Sequence, residues 1–357
     1  MIYRIRVFCF DIKYRQNLVL ESLDYVKEKN IKLISIKKRW ENGFHIEYIL
    51  ESRFLKELKG YLYDQLTNIP DIPKKVFDKM LHQIRLLKDI ENAPAESKKV
   101  KENKQIVIES VGTNLSNIYD NESYLEIQKI KQNWIKDFTG EIFESNKEQK
   151  NSILLKMMLI AANKFHFDDD YKGFKFGVLS YYSHYQGYIN HIEQFPPLYK
   201  QKYKDMIFHG VSTTKKSLKD LDDWLTELSK QSLNEDILIN WSKMLDQLME
   251  KHRDLVDKKK IYSGNDYEIE QYLDKMNNVS NFHKKFTLNK NFKWFISSKE
   301  FKVYRGTINQ MYEVLTFLSI SSLQRTIYCG GISEYIFESY KFDIDELLKD
   351  INEKYGY

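Results

Sequence analysis

A change of hydrophobic period part-way along the chain constrains the fold more than any composition figure. In the first fifty residues three runs set apolar positions at every second residue. Ile2 to Phe10 sets Tyr3, Ile5, Val7 and Cys9 against Arg4, Arg6 and Phe8, the alternation of a strand with one covered face. Lys32–Ile36 and Phe44–Leu50 repeat it on either side of Glu41-Asn42-Gly43, a turn able to join neighbouring strands. Between the first and second of these runs, Asn17–Lys29 carries Leu18, Leu20, Leu23 and Val26 at helical spacing. Beyond Glu51 the period lengthens. Glu51–Leu87 is predicted helical, broken at Pro70 and Pro73; Gln105–Ser110 is a short β-branched run; and helices are expected over Tyr124–Phe138, Asn151–Lys164, Leu218–Lys258, Asn265–Asn281 and Val303–Tyr340, the last as two helices joined near Ser319–Ser322. One more strand is expected at Phe174–Leu179. The class is therefore α+β: an N-terminal lobe of mixed strands and helix, then a largely helical C-terminal part with a small sheet. Glu91–Lys104, ENAPAESKKVKENK, has almost nothing to bury and separates residues 1–104 from residues 105–357.

Composition excludes several functions. With 56 basic and 51 acidic residues the surface is mixed in sign, so a nucleic-acid partner is not demanded. Two cysteines, Cys9 and Cys329, cannot build a disulfide framework or a thiolate metal site. The N-terminus lacks the apolar core and cleavage site of a signal peptide, and no run reaches membrane-spanning length, so the cytoplasm is the expected location. Phosphate-loop, nucleophile-elbow, HExxH and EF-hand patterns are absent. His166 with Asp168–Asp170 reads as a turn, and His184 and His191 stand two helical turns apart, so no metal or cofactor is expected. The excess is aromatic: 25 Tyr, 21 Phe and 5 Trp, flat faces suited to a core or to gripping a peptide.

The candidate chemistry centres on Gly173–Glu193, GFKFGVLSYYSHYQGYINHIE. Ser183 precedes Gln186 by three, the spacing of a capping box, which predicts a helix starting at His184. That helix aligns His184, Tyr188 and His191 at i, i+4 and i+7 beside the Ser183 hydroxyl, one face of groups able to exchange protons. The same pattern also suits a cap and packed tyrosines. Farther on, Tyr304, Ile308, Met311, Leu315 and Leu318 form a core stripe, with Arg305, Asn309 and Tyr312 on the flanking face, as a polar cleft or a solvated helix side.

Separated stretches resemble the C-terminal, glutamate-eliminating domain of lanthipeptide dehydratases and its stand-alone relatives in thiopeptide biosynthesis. Trp40-Glu-Asn-Gly-Phe-His45-Ile resembles the family's early Trp/Gly/His-Ile strand, and Tyr119-Asp-Asn-Glu122 its Tyr-Glu-Pro-Glu segment. Ile142-Phe143-Glu-Ser145 is similar to its Leu-Phe…Asp-Ser run, Leu179–Tyr188 to its Leu-Ser-His motif, and Arg305–Arg325 to its closing helix pair. The elimination domains place arginines after the early-strand histidine and a histidine in the closing helix. Here His45 is followed by Ile46-Glu47, and the closing helix offers Asn309 and Tyr312. A carboxylate at Glu47 would repel a glutamyl group.

The resemblance thus implies a thiopeptide pyridine synthase, which joins two dehydroalanines in a formal [4+2] cycloaddition, loses water and expels the leader peptide, without metal or redox cofactor. It implies a leader-bearing precursor and other enzymes of the same pathway as partners. On this reading Ser183, His184, Tyr188, Arg305, Asn309 and Tyr312 are the catalytic candidates. Trp40, His45, Lys38, Arg39, Glu122 and Tyr182 are the substrate-binding ones, with basic Lys37, Lys38 and Arg39 placed to receive an acidic leader on residues 1–104, unless they are a solvated charge run. Two alternatives stay open: a glutamate-eliminating lyase of a split dehydratase, and a non-catalytic precursor-recognition subunit.

Overall fold

The computed structural model describes residues 1–90, 100–112, 115–116, 118–165, 176–221, 224, 235–261, 279–289 and 291–355. They form two compact units, one of Met1–Ser145 with Thr316–Ser319, the other of Asn146–Leu315 with Ile320–Tyr357.

The first unit runs β1 (Ile2–Phe8), α1 (Ile12–Glu28), β2 (Leu33–Arg39), β3 (His45–Glu51), α2 (Leu55–Thr67), α3 (Lys74–Ile90), β4 (Ile106–Val111) and α4 (Asn121–Glu144). The strands make a sheet in the order β2-β3-β1-β4, every pair antiparallel. Register follows the alternation: Ile5 lies opposite Tyr48 and Ile108, whereas Arg6 lies opposite Glu47 and Val107. Helix α1 begins earlier than its apolar spacing predicts, because the Asp11 carboxylate accepts from the backbone N–H groups of Lys13 and Tyr14. The β2–β3 turn needs left-handed backbone at Asn42 (φ 62°) and Gly43 (φ 120°), and a Cβ on Gly43 would stand 2.8 Å from the Phe10 ring. Tyr48 anchors the sheet to α1 through a 2.9 Å bond to Ser22. The first unit extends to Ser145, since β4 completes this sheet and α4 packs on β2 and α1.

The second unit runs α5 (Lys147–Asn163), α6 (Leu179–Ile192), α7 (Pro197–Lys219), α8 (Asp236–Asp257), α9 (Asn281–Thr287), α10 (Phe292–Ser297), α11 (Lys299–Phe317), α12 (Ser322–Tyr340) and α13 (Ile344–Tyr355), the last residues of α11 counting with the first unit. The stripe Tyr304, Ile308, Met311, Leu315, Leu318 is buried throughout, as its spacing predicts. Helix α12 lies against α6 and α7, with Gly330 facing Tyr185 and Val211 and Gly331 facing Thr214.

Two sequence expectations are corrected here. Of the strand expected at Phe174–Leu179, residues 174 and 175 lie outside the described residues, 176–178 form a turn, and Leu179 opens α6. Phe176 and Val178 are buried, and a Cβ on Gly177 would fall 1.8 Å from the Ala162 carbonyl oxygen, so a bare backbone passes directly over the end of α5. Among the described residues all four strands therefore lie within 2–111, and the helical part carries no sheet of its own. Ser183 is not a cap: α6 already runs four residues before it, and the capping box forms instead at Asn146 and Gln149 of α5. The expected turn at Asp168–Asp170 and most of the helix expected over Asn265–Asn281 lie outside the described residues.

Candidate functional site

Helix α6 follows Val178, which supplies no side-chain cap, leaving backbone N–H groups to satisfy. Tyr304 of α11 takes that part. Its hydroxyl accepts from the Ser180 N–H at 2.8 Å and donates to the Gly177 carbonyl at 3.2 Å, locking the start of α6 to α11. Two turns on, Tyr312 brings its hydroxyl 3.3 Å from Ser180 Oγ and 3.8 Å from Cys329 Sγ of α12.

From the start of α12, Arg325 Nε donates to His184 Nε2 at 3.0 Å, and its guanidinium carbon lies 5.3 Å from the centre of the Tyr312 ring. The His184 and Tyr312 rings are themselves 5.7 Å apart. Because Arg325 can only donate, the Nε2 lone pair is taken and His184 carries its proton on Nδ1. Burial, with the Arg325 charge second, lowers His184 from 6.5 to about 3, so the ring is neutral. Burial also pushes Tyr312 and Tyr304 well up, and Cys329 to about 12, so these groups remain protonated. Among the described residues no carboxylate pairs with Arg325. A half-buried cation ringed by neutral donors suits an oxygen that gains negative charge as bonds rearrange.

Tyr188 is buried on α6 and held up to about 12, chiefly by burial and then by Tyr203, with Arg325 pulling the other way. His191 stacks edge-on to Phe195. Arg305 and Asn309 are exposed on α11, so the face expected to unite them with Tyr312 divides, and among the described residues neither bonds to the Arg325 cluster. Ser183 is half-buried in mid-helix and meets His283 of α9 at 2.9 Å. Tyr182 packs edge-on between Phe282 and Phe337.

The first-unit candidates sit in the sheet and its cover. His45 is buried, with Nδ1 2.7 Å from the Gly43 carbonyl and its ring against Phe8, and burial lowers its pKa. Trp40 lies at the turn, its backbone N–H donating to the Glu41 carboxylate, and Arg39 reaches Glu41 at 3.6 Å. Lys38 does not face solvent; its ammonium donates to Ser319 Oγ at 2.6 Å and lies over Phe143 and Phe317. Glu122 is exposed in the first turn of α4, where the helix dipole favours a carboxylate. Glu47, expected to repel a glutamyl group, is buried and paired with Arg4 at 3.1 Å and Arg6 at 3.5 Å, so its charge is already balanced and those cations are already engaged.

Helical spacing places Tyr304 in the core stripe and the family resemblance ends on Arg325, but neither these two nor Ser180 and His283 stand out from the sequence as site candidates. A signal existed for Arg325: it follows the Ser321 cap by four residues, near the positive end of α12, where the dipole disfavours a cation. Among the described residues no helix is long and apolar enough to cross a membrane, and no cluster of His, Cys, Asp and Glu has the makings of a metal site.

No family model and no curated protein matches the sequence. Solved structures do match along nearly its whole length. The pyridine synthase TbtD from thiomuracin biosynthesis superposes with a TM-score of 0.60 at 13% identity, over 95% of this chain and 99% of that one. TsrL superposes with a TM-score of 0.58 at 11% identity, over 98% of each chain. The fold is shared; at these identities the likeness extends no further.

Proposed function

We propose that this chain is a thiopeptide pyridine synthase, joining two dehydroalanines of a leader-bearing peptide by formal [4+2] cycloaddition, then losing water and leader as the ring aromatises. The observation that carries the reading is Arg325: a half-buried guanidinium, held by neutral His184 and set over Tyr312 without a carboxylate partner among the described residues, in a fold shared with a known pyridine synthase. Such a cation polarises the amide carbonyl that must become an imidic acid, while Tyr312 and Ser180 offer hydroxyls to the same oxygen. Arg325 thus takes the part expected of Arg305. Tyr188 and Tyr312, both protonated at neutral pH, act as donors rather than bases. Holding the two alkenes face to face supplies roughly 7–11 kcal/mol of an intramolecular barrier. Residues 1–104 are the proposed leader-binding part, with Lys37 and Arg39 on the edge strand β2 as its cations, and residues 105–357 the catalytic part.

Mass spectrometry of the purified protein with three peptides tests this. A leader-bearing peptide with two dehydroalanines should lose water and leader and gain a pyridine. A glutamylated peptide should be unchanged, where loss of glutamate would favour the lyase. An unmodified precursor should bind without mass change. Arg325→Met should lower kcat/KM about 10²–10³-fold. An unaltered bis-dehydroalanine peptide with wild-type protein would sink the reading.

A further inference from the structure

His184 is the histidine that the sequence singles out for proton transfer, yet its Nε2 lone pair is spent on Arg325. The unit holds another imidazole with different partners. His283 stands two residues into α9, the third past the Ser280 cap, and is half-buried. Ser280 Oγ lies 2.6 Å from its Nδ1 and also meets the His283 backbone N–H at 3.3 Å. The other ring nitrogen, Nε2, stands 2.9 Å from Ser183 Oγ on α6. Ser183 lies one turn beyond Ser180, whose hydroxyl meets Tyr312, so both hydroxyls are on one side of α6. Gly187, a further turn along, lies beside the ring: a Cβ there would be in ordinary contact, 3.5 Å from His283 Cε1.

We infer that Ser280, His283 and Ser183 form a proton relay serving the amide tautomerisation, with Ser183 as the group that meets substrate and His283 as the positioning base behind it; the inference rests on the pyridine synthase reading. In this relay Ser280 Oγ, which accepts from the His283 backbone N–H, accepts the Nδ1 proton as well, and Nε2 is the acceptor for the Ser183 hydroxyl. Burial holds the imidazole below its ordinary pKa and therefore unprotonated at neutral pH. Ser183 Oγ takes the proton from the substrate amide nitrogen as its own passes to His283 Nε2; the reverse transfer then delivers a proton to the carbonyl oxygen. The amide becomes an imidic acid and the protein ends unchanged. Ser183 lies inside α6, where the neighbouring backbone N–H groups are committed to the helix, so its part here is proton transfer.

The test uses the full chain and the bis-dehydroalanine peptide. His283→Gln keeps a polar group beside Ser183 without a base, and kcat should fall about 10²–10⁴-fold with KM within about twofold. His283→Ala should recover part of its rate on addition of imidazole. A His283→Gln variant with wild-type kcat overturns the relay. Should the wild-type protein leave that peptide untouched, the functional reading fails while the relay is still read from the ring: ¹⁵N spectra should show His283 as a neutral Nδ1–H tautomer whose Nε2 signal shifts in Ser183→Ala but not in Ser180→Ala. An Nε2 signal indifferent to Ser183→Ala would mean that the two groups do not interact, and the relay would fall.

Discussion

A neutral histidine beside an arginine leaves a trace in the acid behaviour of the whole protein. Between about pH 3 and 6.5 the unfolded chain holds a proton at His184 that the folded chain refuses, so stability rises with pH across this window and is lost on acidification. Each such group contributes at most about 1.4 kcal/mol per pH unit. His45 and His283 are shifted in the same direction by burial. The urea midpoint at pH 5 should therefore lie below that at pH 7, and the fall should be shallower in His184→Gln; an equal fall in both proteins would remove His184 from the account. At this scale the sequence was half legible. Helical spacing picks out His184, Tyr188 and Tyr312 by residue type. It says nothing of the 141-residue separation across which Arg325 reaches His184, nor of the tautomer that this contact imposes. Likewise Lys37-Lys38-Arg39 reads as one charge run, but strand alternation turns Lys38 inward against Ser319 and Phe143.

Among the elements, the hairpin, the Pro-broken helices and the closing helix pair follow from period and turn chemistry, whereas the entry to α6 does not. Phe176-Gly177-Val178 alternates like a strand, but a run this short cannot distinguish a strand from two buried plugs on either side of a close backbone approach. Ser183 and Gln186 have capping spacing with no helix end to cap. The glycine between the plugs yields a direct test. Gly177→Ala drives a methyl group into the Ala162 carbonyl, and overpacking of this kind costs about 1–3 kcal/mol. Since Tyr304 grips Gly177 and Ser180 together, the displacement carries Ser180 away from Tyr312. Thermal unfolding should show a lowered Tm, and turnover should drop more than the loss of folded protein explains; a variant with wild-type Tm would show that the turn can move aside.

For the molecule as a whole, the proposed division of labour places leader recognition on residues 1–104. Lys37→Glu with Arg39→Glu should weaken binding of a leader peptide, and the difference from wild type should shrink as salt rises; equal affinity at low salt would count against the placement. Lys38 is left unchanged in that experiment, since reversing a buried charge would test folding instead. The same lysine bears on recombination between relatives. The first unit is not one contiguous piece of chain: Thr316–Ser319 belongs to it, and Lys38 sits on Phe317 and bonds to Ser319. A chimera spliced only after Ser145 would therefore pair a transplanted lysine with a foreign tetrapeptide some 170 residues downstream. Breeding active hybrids in this fold calls for two crossover segments inherited together, the long one and the short one.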